Sequence, residues 1–266
     1  MRSDKAATAT AAARPTVGLV GLTGCAGDQL VVLNCEDELL DLVALFDIRE
    51  FLMAASDDSG TKAPLDIAFI EGAVMSRRDE ETLRQLRERT HCLVAIGTCA
   101  VWGGVAALDR LFDRRALIRD VYGDVGKGFD TLPARAVRDV VPVDYTITGC
   151  PIERDEFLSA IAHLLQGNPP PVRDIPVCAE CRMREVGCLL MDCGLPCCGA
   201  VTAGGCNARC PALGVPCVGC RGPASDPNIE AALAAFEAHG IPRDDAERRL
   251  QVFAPLPVVA AAGEAP

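Results

Sequence analysis

Hydrophobic and polar positions follow two different periods along the first 165 residues of the chain. Four short apolar runs, rich in β-branched residues, predict buried strands: 16–22, 65–72, 92–97 and 143–149. Three longer segments carry apolar residues at helical spacing or a charged surface-helix pattern, and they predict helices: 28–46, 78–90 and 152–165. Strands that alternate with helices predict an α/β fold, a doubly wound parallel sheet with helices on both faces.

The composition changes near residue 170. A Pro-rich stretch, GNPPPVRDIP, begins at Gly167, and ten of the fifteen cysteines then fall between Cys178 and Cys220. This change predicts a second, compact domain that is held together by metal. The predicted parts are a disordered N-terminal segment 1–14, a first domain 15–170, a cysteine-rich domain 171–254 and a loose tail 255–266.

Fifteen cysteines in 266 residues, with no visible targeting segment, define the expected compartment. We expect a cytoplasmic chain in which thiols stay reduced and serve metal binding or catalysis. A secreted disulfide scaffold is the alternative, but these cysteines do not staple a small, loop-rich domain. The net charge of −11 argues against a nucleic-acid partner, and no apolar run is long enough to predict a membrane span.

Three cysteines of the first domain come directly after predicted strands. Cys25, Cys99 and Cys150 would all lie at the carboxyl edge of a parallel sheet, where such folds bind ligands. Thiolates that converge from separate loops are what an iron–sulfur cluster needs. Each of these cysteines taken alone would instead be interpreted as a small buried hydrophobic residue.

Asp28 lies three residues after Cys25, in the segment TGCAGD. A carboxylate can bind iron through oxygen, although it is a harder ligand than thiolate. Asp28 could equally cap the helix that follows, or the cluster could have only three protein ligands. Glu71, at the end of another strand, similarly allows two interpretations, a residue that tunes the cluster or relays protons and a capping carboxylate.

Two Cys-x-x-Cys pairs, 178/181 and 217/220, bracket further thiols in the second domain. Ten cysteines can supply two four-thiolate sites with two thiols left over, and the glycines between them let the chain wrap closely around metal. Four-thiolate zinc sites are the alternative, and the spacing by itself does not exclude them.

Several segments together resemble the small, electron-transferring subunit of nickel–iron hydrogenases. They are TGCAGDQL, DIAFIEGAV, AIGTCAVWGG, TGCPIERDEFL, CAEC, PCCGAVTAGGCNARCP and CVGCRG. The resemblance covers roughly residues 15–240 and is strongest to the cytosolic, sulfhydrogenase-like branch that works with nicotinamide-linked partners. It implies a flavodoxin-like domain that holds a proximal cluster, followed by a small domain that holds a medial and a distal cluster.

The resemblance also implies three sets of ligands, each for one [4Fe–4S] cluster. The proximal set is Cys25, Asp28, Cys99 and Cys150, with Asp28 where the family usually has cysteine. The distal set is Cys178, Cys181, Cys188 and Cys197. The medial set is Cys206, Cys210, Cys217 and Cys220. Membrane-bound relatives have histidine in place of Cys178 and proline in place of Cys210. Cys193 and Cys198 are left over, and Cys197 is preferred to Cys198 on family spacing.

The implied function is electron relay within a hydrogenase. The chain lacks the nickel-binding motifs of a large subunit, so we expect the nickel–iron centre in a partner chain and a flavin- and iron–sulfur-containing diaphorase as a further partner. No phosphate-binding loop follows Cys25, so we predict no flavin in this chain. The alternative function is the same relay in a non-hydrogenase complex related to the respiratory quinone oxidoreductase. His91 and His163 are expected at helix ends without a metal role, and Cys35 and Cys92 are expected to be buried thiols.

Overall fold

The computed structural model describes residues 14–54 and 63–255 of the chain. Five parallel strands form one sheet in the order β2-β1-β3-β4-β5. The strands are β1 Thr16–Gly21, β2 Asp47–Phe51, β3 Leu65–Glu71, β4 Thr90–Ile96 and β5 Tyr145–Ile147. This strand order is that of flavodoxin-like folds. The predicted doubly wound parallel sheet is therefore confirmed.

The helices alternate with the strands and then continue through the cysteine-rich segment. They are α1 Gly27–Leu33, α2 Glu36–Leu45, α3 Arg77–Arg89, α4 Gly97–Trp102, α5 Arg114–Tyr122, α6 Arg154–Leu165, α7 Val177–Met183, α8 Leu189–Cys193, α9 Arg209–Ala212, α10 Ile229–Ala238 and α11 Arg243–Leu250. Short 3-10 helices occupy Val105–Leu111, Gly123–Gly128, Val137–Asp139 and Cys198–Ala200.

Apolar side chains cover both faces of the sheet. On one face, Phe69 of β3 packs edge-to-face against Phe157 of α6, with ring centroids 5.3 Å apart. On the other face, Leu83 and Leu86 of α3 pack against Leu93 of β4 in a second apolar cluster. Because successive side chains of a strand point to opposite faces, the central strands supply both clusters.

Two sequence predictions need correction. The predicted helix 28–46 is two helices, because α1 ends at Leu33 and α2 begins at Glu36. His91 lies in β4, where it is exposed, and not at a helix end. The edge strand β2 was not predicted, because its sequence DIREF is mostly polar and its burial is low.

Helices α10 and α11 close the cysteine-rich segment with an apolar core of their own. Leu233 and Phe236 are each 1% exposed and pack with Ala246 and with the buried Cys198. None of the helices in the described ranges is long and apolar enough to cross a membrane. The predicted disordered segment 1–14 and loose tail 255–266 lie outside the described residues, apart from Arg14 and Pro255.

Candidate iron–sulfur sites

The register of the sheet brings the ends of four strands into one row. Gly21 is opposite Glu71, Glu71 is opposite Ile96, and Ile96 is opposite Ile147. The segments that follow this row carry Cys25, Cys99 (in α4) and Cys150, so all three lie at the carboxyl edge of the sheet, where open α/β sheets bind ligands.

The proximal group, Cys25, Asp28, Cys99 and Cys150, is close enough for its members to interact electrostatically. The pKa of Cys99 is raised to about 11, mainly by burial and then by the neighbouring Asp28 and Cys25. Partial burial raises the pKa of Cys150 to about 12, with additional contributions from Cys99, Cys220, Asp28 and Cys25. As free groups these two thiols are therefore protonated at neutral pH, and metal binding has to displace their protons.

Asp28 lies in the first turn of α1 and is only 6% exposed. Its Oδ1 accepts a hydrogen bond from the backbone N–H of Ile152 at 2.8 Å. Burial raises its pKa to about 7, although the bond from Ile152 lowers it. Gly97 leaves room for this carboxylate, since a Cβ there would lie 1.8 Å from Asp28 Oδ2. The structure thus places a carboxylate among the three proximal thiols.

Glu71, 3% exposed, accepts the hydrogen bonds that start helix α1. Its Oε1 and Oε2 lie 3.2 and 3.3 Å from the backbone nitrogens of Asp28 and Gln29. These bonds satisfy donors that have no partner inside the helix. The capping interpretation of Glu71 therefore has direct support in the structure.

The distal group consists of Cys178, Cys181, Cys188 and Cys197. The pKa of Cys178 is raised to about 11, mainly by burial and then by the neighbouring Cys197, Cys181 and Cys188. The pKa of Cys181 is also raised, by burial and then by Cys197 and Cys188. Gly199 approaches the same site, since a Cβ there would lie 3.4 Å from Cys178 Sγ.

The medial group consists of Cys206, Cys210, Cys217 and Cys220. Burial raises the pKa of Cys220, and the nearby Cys210 raises it further. Cys206 and Cys217 belong to one small apolar cluster together with Ala208. Burial also raises the pKa of Cys217. The backbone N–H of Cys217 donates to Cys197 Sγ at 3.2 Å, so the medial group adjoins the distal group.

Thr98 joins the medial group to the proximal group. The residue is 1% exposed, and its side-chain hydroxyl donates to the carbonyl oxygen of Cys220. The same oxygen atom of Thr98 accepts from the N–H of Gly149 at 3.2 Å, and Thr98 N–H donates to the Gly149 carbonyl at 2.7 Å. Because Thr98 precedes Cys99 and Gly149 precedes Cys150, this network connects two proximal residues with a medial one.

Helix α6 also contacts both parts of the site. Arg221, next to Cys220, donates from Nη2 to the two carboxylate oxygens of Glu156 at 2.8 and 2.9 Å. Arg209, next to Cys210, pairs with Glu153, the residue that precedes α6. The ion pairs attach the medial loops to the helix that follows Cys150. These pairs could not be predicted, because nothing in one sequence pairs α6 with the later arginines.

Glu180 is a further residue that the sequence did not predict. It lies between Cys178 and Cys181 and is fully buried, at 0% exposed. Its Oε1 accepts from the N–H of Gly205 at 2.8 Å, and its Oε2 accepts from the N–H of Ala208 at 3.0 Å. Glu180 therefore holds the loop that carries Cys206. A glutamate between two closely spaced thiols is the only sequence signal for it.

The leftover thiols lie apart from these groups or at their margins. Cys193 is exposed at the end of α8, and Cys198 is 1% exposed beside the apolar core of α10. Cys197, and not Cys198, neighbours Cys178 and Cys181, which favours the predicted choice. The expectation of a buried Cys35 is confirmed, whereas Cys92 is only partly buried.

The donor set fits iron–sulfur clusters. Thiolates are the usual ligands of such clusters, and here the cysteines converge from separate segments of the chain. Glycines accompany them: a Cβ at Gly104 would lie 2.7 Å from Cys99 Sγ, and one at Gly27 would lie 3.3 Å from Cys25 Sγ. Over residues 14–54 and 63–255, no group of three or more His, Cys, Asp or Glu side chains is arranged to hold a single metal ion.

Comparison with known proteins assigns the chain to a class. Residues 25–164 match the family model of the NADH ubiquinone oxidoreductase 20 Kd subunit, and the chain belongs to that family. It is 39% identical to the sulfhydrogenase 2 subunit delta of Pyrococcus furiosus, over 90% of this chain and 98% of that one. It is 30% identical to the NAD-reducing hydrogenase HoxS subunit delta of Cupriavidus necator, over 62% of this chain and 86% of that one.

A solved structure agrees with these relatives. The model superposes on a chain of an NAD⁺-reducing [NiFe]-hydrogenase in its H2-reduced state, with a TM-score of 0.54 and 25% identity over 60% of this chain and 95% of that one. The chain is a subunit of a hydrogenase and thus part of an oxidoreductase. The predicted resemblance is confirmed. The relatives that are hydrogenase subunits favour a hydrogenase over a non-hydrogenase complex.

Proposed function

We propose that this hydrogenase subunit relays electrons one at a time through three [4Fe–4S] clusters. The proximal, medial and distal groups would each hold one cluster, with Asp28 as the oxygen ligand of the proximal one. When bound, an iron–sulfur cluster takes up and passes on an electron at a potential set by charge, hydrogen bonds and burial. The chain itself holds the thiolates, limits water around them and fixes their separation.

The observation that carries the proposal is the succession of the three groups. Cys217 N–H donates to a distal sulfur, that of Cys197, at 3.2 Å. At the other side of the medial group, Cys220 accepts a hydrogen bond from Thr98 through its carbonyl oxygen. These two contacts support a medial group that adjoins each of the other two, as an electron relay requires.

The two ends of this series suggest the partners. Cys25 and Cys150 are exposed at the open sheet edge, so we propose that this edge faces a large subunit that carries the nickel–iron centre. Electrons would leave through the distal group to flavin- and iron–sulfur-containing diaphorase subunits. The name of the HoxS relative, an NAD-reducing hydrogenase, supports this direction of transfer. We also propose a cytoplasmic location, which the high cysteine content supports because thiols stay reduced in that compartment.

Metal analysis of the full chain, purified without oxygen, tests the cofactor content. We expect about twelve iron and about twelve sulfide per chain, because each [4Fe–4S] cluster contains four of each. About two zinc ions without sulfide would show four-thiolate zinc sites instead and would refute the relay.

A cysteine substitution in the assembled complex tests the relay itself. We expect Cys220→Ser to keep hydrogen–deuterium exchange at the nickel–iron centre but to lose hydrogen-dependent reduction of NAD or NADP. Cys193→Ser is the matched control, since this exposed thiol belongs to none of the three groups. Full NAD(P) reduction by the Cys220→Ser complex would contradict the proposal, and so would a complex without nickel.

A further inference from the structure

Residues 105–129, between α4 and β5, form an arm that is folded mainly on itself. The arm contains the 3-10 helix Val105–Leu111, helix α5 and the 3-10 helix Gly123–Gly128. Helix α5 packs mainly against these two 3-10 helices. On the inner side of α5, Ile118 lies against Gly126, since a Cβ at Gly126 would lie 2.5 Å from Ile118 Cγ2. All nine described residues of α5 are at least partly exposed, so its other side is open.

The open side of the arm is apolar. Six large side chains are between 39% and 73% exposed: Phe112, Leu117, Val121, Tyr122, Val125 and Phe129. Leu117 and Val121 are four residues apart and share a face of α5. The rings of Tyr122 and Phe129 meet edge to face, with centroids 5.0 Å apart. Side chains of this size, about half exposed, form a patch on the order of 500 Å², which is large for a free monomer and typical of an interaction site.

Both ends of the arm are attached to the sheet edge that carries the proximal group. At its start, the backbone N–H of Val105 donates to Sγ of Cys99. A Cβ at the preceding Gly104 would lie 2.7 Å from the same sulfur. After the arm, Leu132 N–H donates at 2.7 Å to the carbonyl of Met75, which follows the end of β3. The apolar patch therefore continues from the edge where the proximal cluster would lie.

Two possible occupants of this patch belong to the chain itself, and the sequence disfavours both. The tail 256–266 contains only three large apolar residues besides its prolines, Leu256, Val258 and Val259, against six on the arm. A second copy would bring together two chains that each have a net charge of −11, and such a charge opposes self-association. The arm itself carries five Arg or Lys and four Asp, so it suits a partner that binds through apolar contact.

We propose that the apolar side of the arm docks against the large subunit that carries the nickel–iron centre. The identity of this partner rests on the proposed function, in which the large subunit faces the same sheet edge. The surface that meets the arm would be apolar, because the patch offers apolar side chains. Docking would also hold the Val105 N–H against the Cys99 sulfur, and hydrogen bonds to sulfur help to set the potential of a cluster.

Amide exchange measured by mass spectrometry tests the contact directly. The full chain, purified without oxygen, is compared alone and in its complex with the large subunit. We expect amides of residues 112–129 to exchange at least about tenfold more slowly in the complex, because docking suppresses local opening of the arm. Equal exchange in the two samples would overturn the proposal.

Substitutions on the patch test its contribution to assembly. We expect Val121→Asp and Val125→Asp each to raise the Kd of the complex at least about tenfold, measured by mass photometry on dilution, because each places a charge in an apolar interface. Leu40→Asp is the matched control, since Leu40 is an 80% exposed apolar residue of α2, outside the arm. Thermal unfolding checks that the variants fold. An unchanged Kd in both folded arm variants, or an equal rise in the control, would overturn the proposal.

Two further measurements identify any other occupant. A chain truncated after Pro255 would show faster exchange of the arm if the tail covers it, and light scattering of the free chain would show a dimer that Val125→Asp separates if a second copy covers it. Either result would overturn the proposal. Iron analysis keeps this test apart from the relay, because the arm variants should retain the iron content of the parent. A chain without clusters whose arm is still protected by the large subunit would refute the relay alone.

Discussion

The side-chain hydroxyl of Thr98 donates a hydrogen bond to the carbonyl oxygen of Cys220, across 122 residues of sequence. Thr98 is 1% exposed and directly precedes Cys99 at the sheet edge. One threonine thus connects the loop of a proposed proximal ligand with the loop of a proposed medial ligand. Through this contact, covalent bonds and one hydrogen bond connect the two proposed sites directly.

Removal of this hydroxyl should weaken the link. We expect Thr98→Val to lower the free energy of unfolding by about 1–3 kcal/mol, because the Cys220 carbonyl and the Gly149 N–H would both lose a partner. Thr98→Ser keeps the hydroxyl and should behave like the parent. Denaturant unfolding measures the first effect, and freeze-quench electron paramagnetic resonance measures the expected slower passage of electrons. If the Thr98→Val chain were as stable as the parent, the hydrogen bond would make no contribution to stability.

A methyl group at Gly97 should abolish the proximal site. Gly97 has φ +81°, and a Cβ there would lie 1.8 Å from Asp28 Oδ2. We expect Gly97→Ala to lose about four of the iron atoms per chain, the content of one cluster. Gly167→Ala is the matched control, because Gly167 also has a positive φ, +72°, but has no atom within 4 Å of a Cβ. Iron loss in both variants would assign the effect to backbone strain alone.

Asp28 should make the iron-free chain less stable as the pH rises. Its pKa is about 7 in the fold and 3.8 as the unfolded reference, so between these values the folded chain binds more protons. Stability therefore falls from about pH 4 to about pH 7, by at most about 4 kcal/mol, and is level above that. Urea unfolding of Asp28→Asn should show a shallower decline over this range. A decline as steep as in the parent would mean that other groups cause it.

Replacement of the same carboxylate by a thiol should change the proximal cluster. Oxygen is a harder ligand than sulfur, so we expect Asp28→Cys to shift the midpoint potential of that cluster and the oxygen sensitivity of the complex. Redox titration followed by electron paramagnetic resonance measures the potential, with the medial and distal signals as internal references. An unchanged potential and unchanged oxygen sensitivity would argue that Asp28 does not bind iron.

Neutralisation of Glu180 should loosen the Cys206 loop. Glutamine can accept only one of the two bonds that Glu180 accepts from Gly205 and Ala208, and its amide would face the other N–H. We expect Glu180→Gln to cost about 1–3 kcal/mol and to lower the iron content of the chain. Glu185→Gln, at an exposed position, should change neither quantity. Iron analysis and denaturant unfolding measure the two quantities in both variants.

The sequence was sufficient to predict the central fold and which thiols to consider. Strands β1, β3, β4 and β5 are apolar enough to be identified by their pattern, and their ends place Cys25, Cys99 and Cys150 on one edge. The polar edge strand Asp47–Phe51 and the break before α2 gave no such signal. Domain boundaries and metal ligands stay predictions.

The contacts between distant loops could not be predicted in this way. Thr98, Glu180 and the Arg221–Glu156 pair act through partners that are 122, 25 to 28 and 65 residues away in sequence. Periodicity reports only what a residue does within its own helix or strand. Residues that tie separate segments together are found from coordinates, because their partners are set by the tertiary fold.

Helix α6 begins just after the loop of Cys150, and carboxylates at its start bind the arginines beside Cys210 and Cys220. Helix α6 thus ties the segment after Cys150 to the medial loops, and together with Thr98 it would set the separation of the two proposed clusters. Because electron tunnelling slows steeply with distance, a variant that loosens these ion pairs would slow electron transfer even if every cluster were retained.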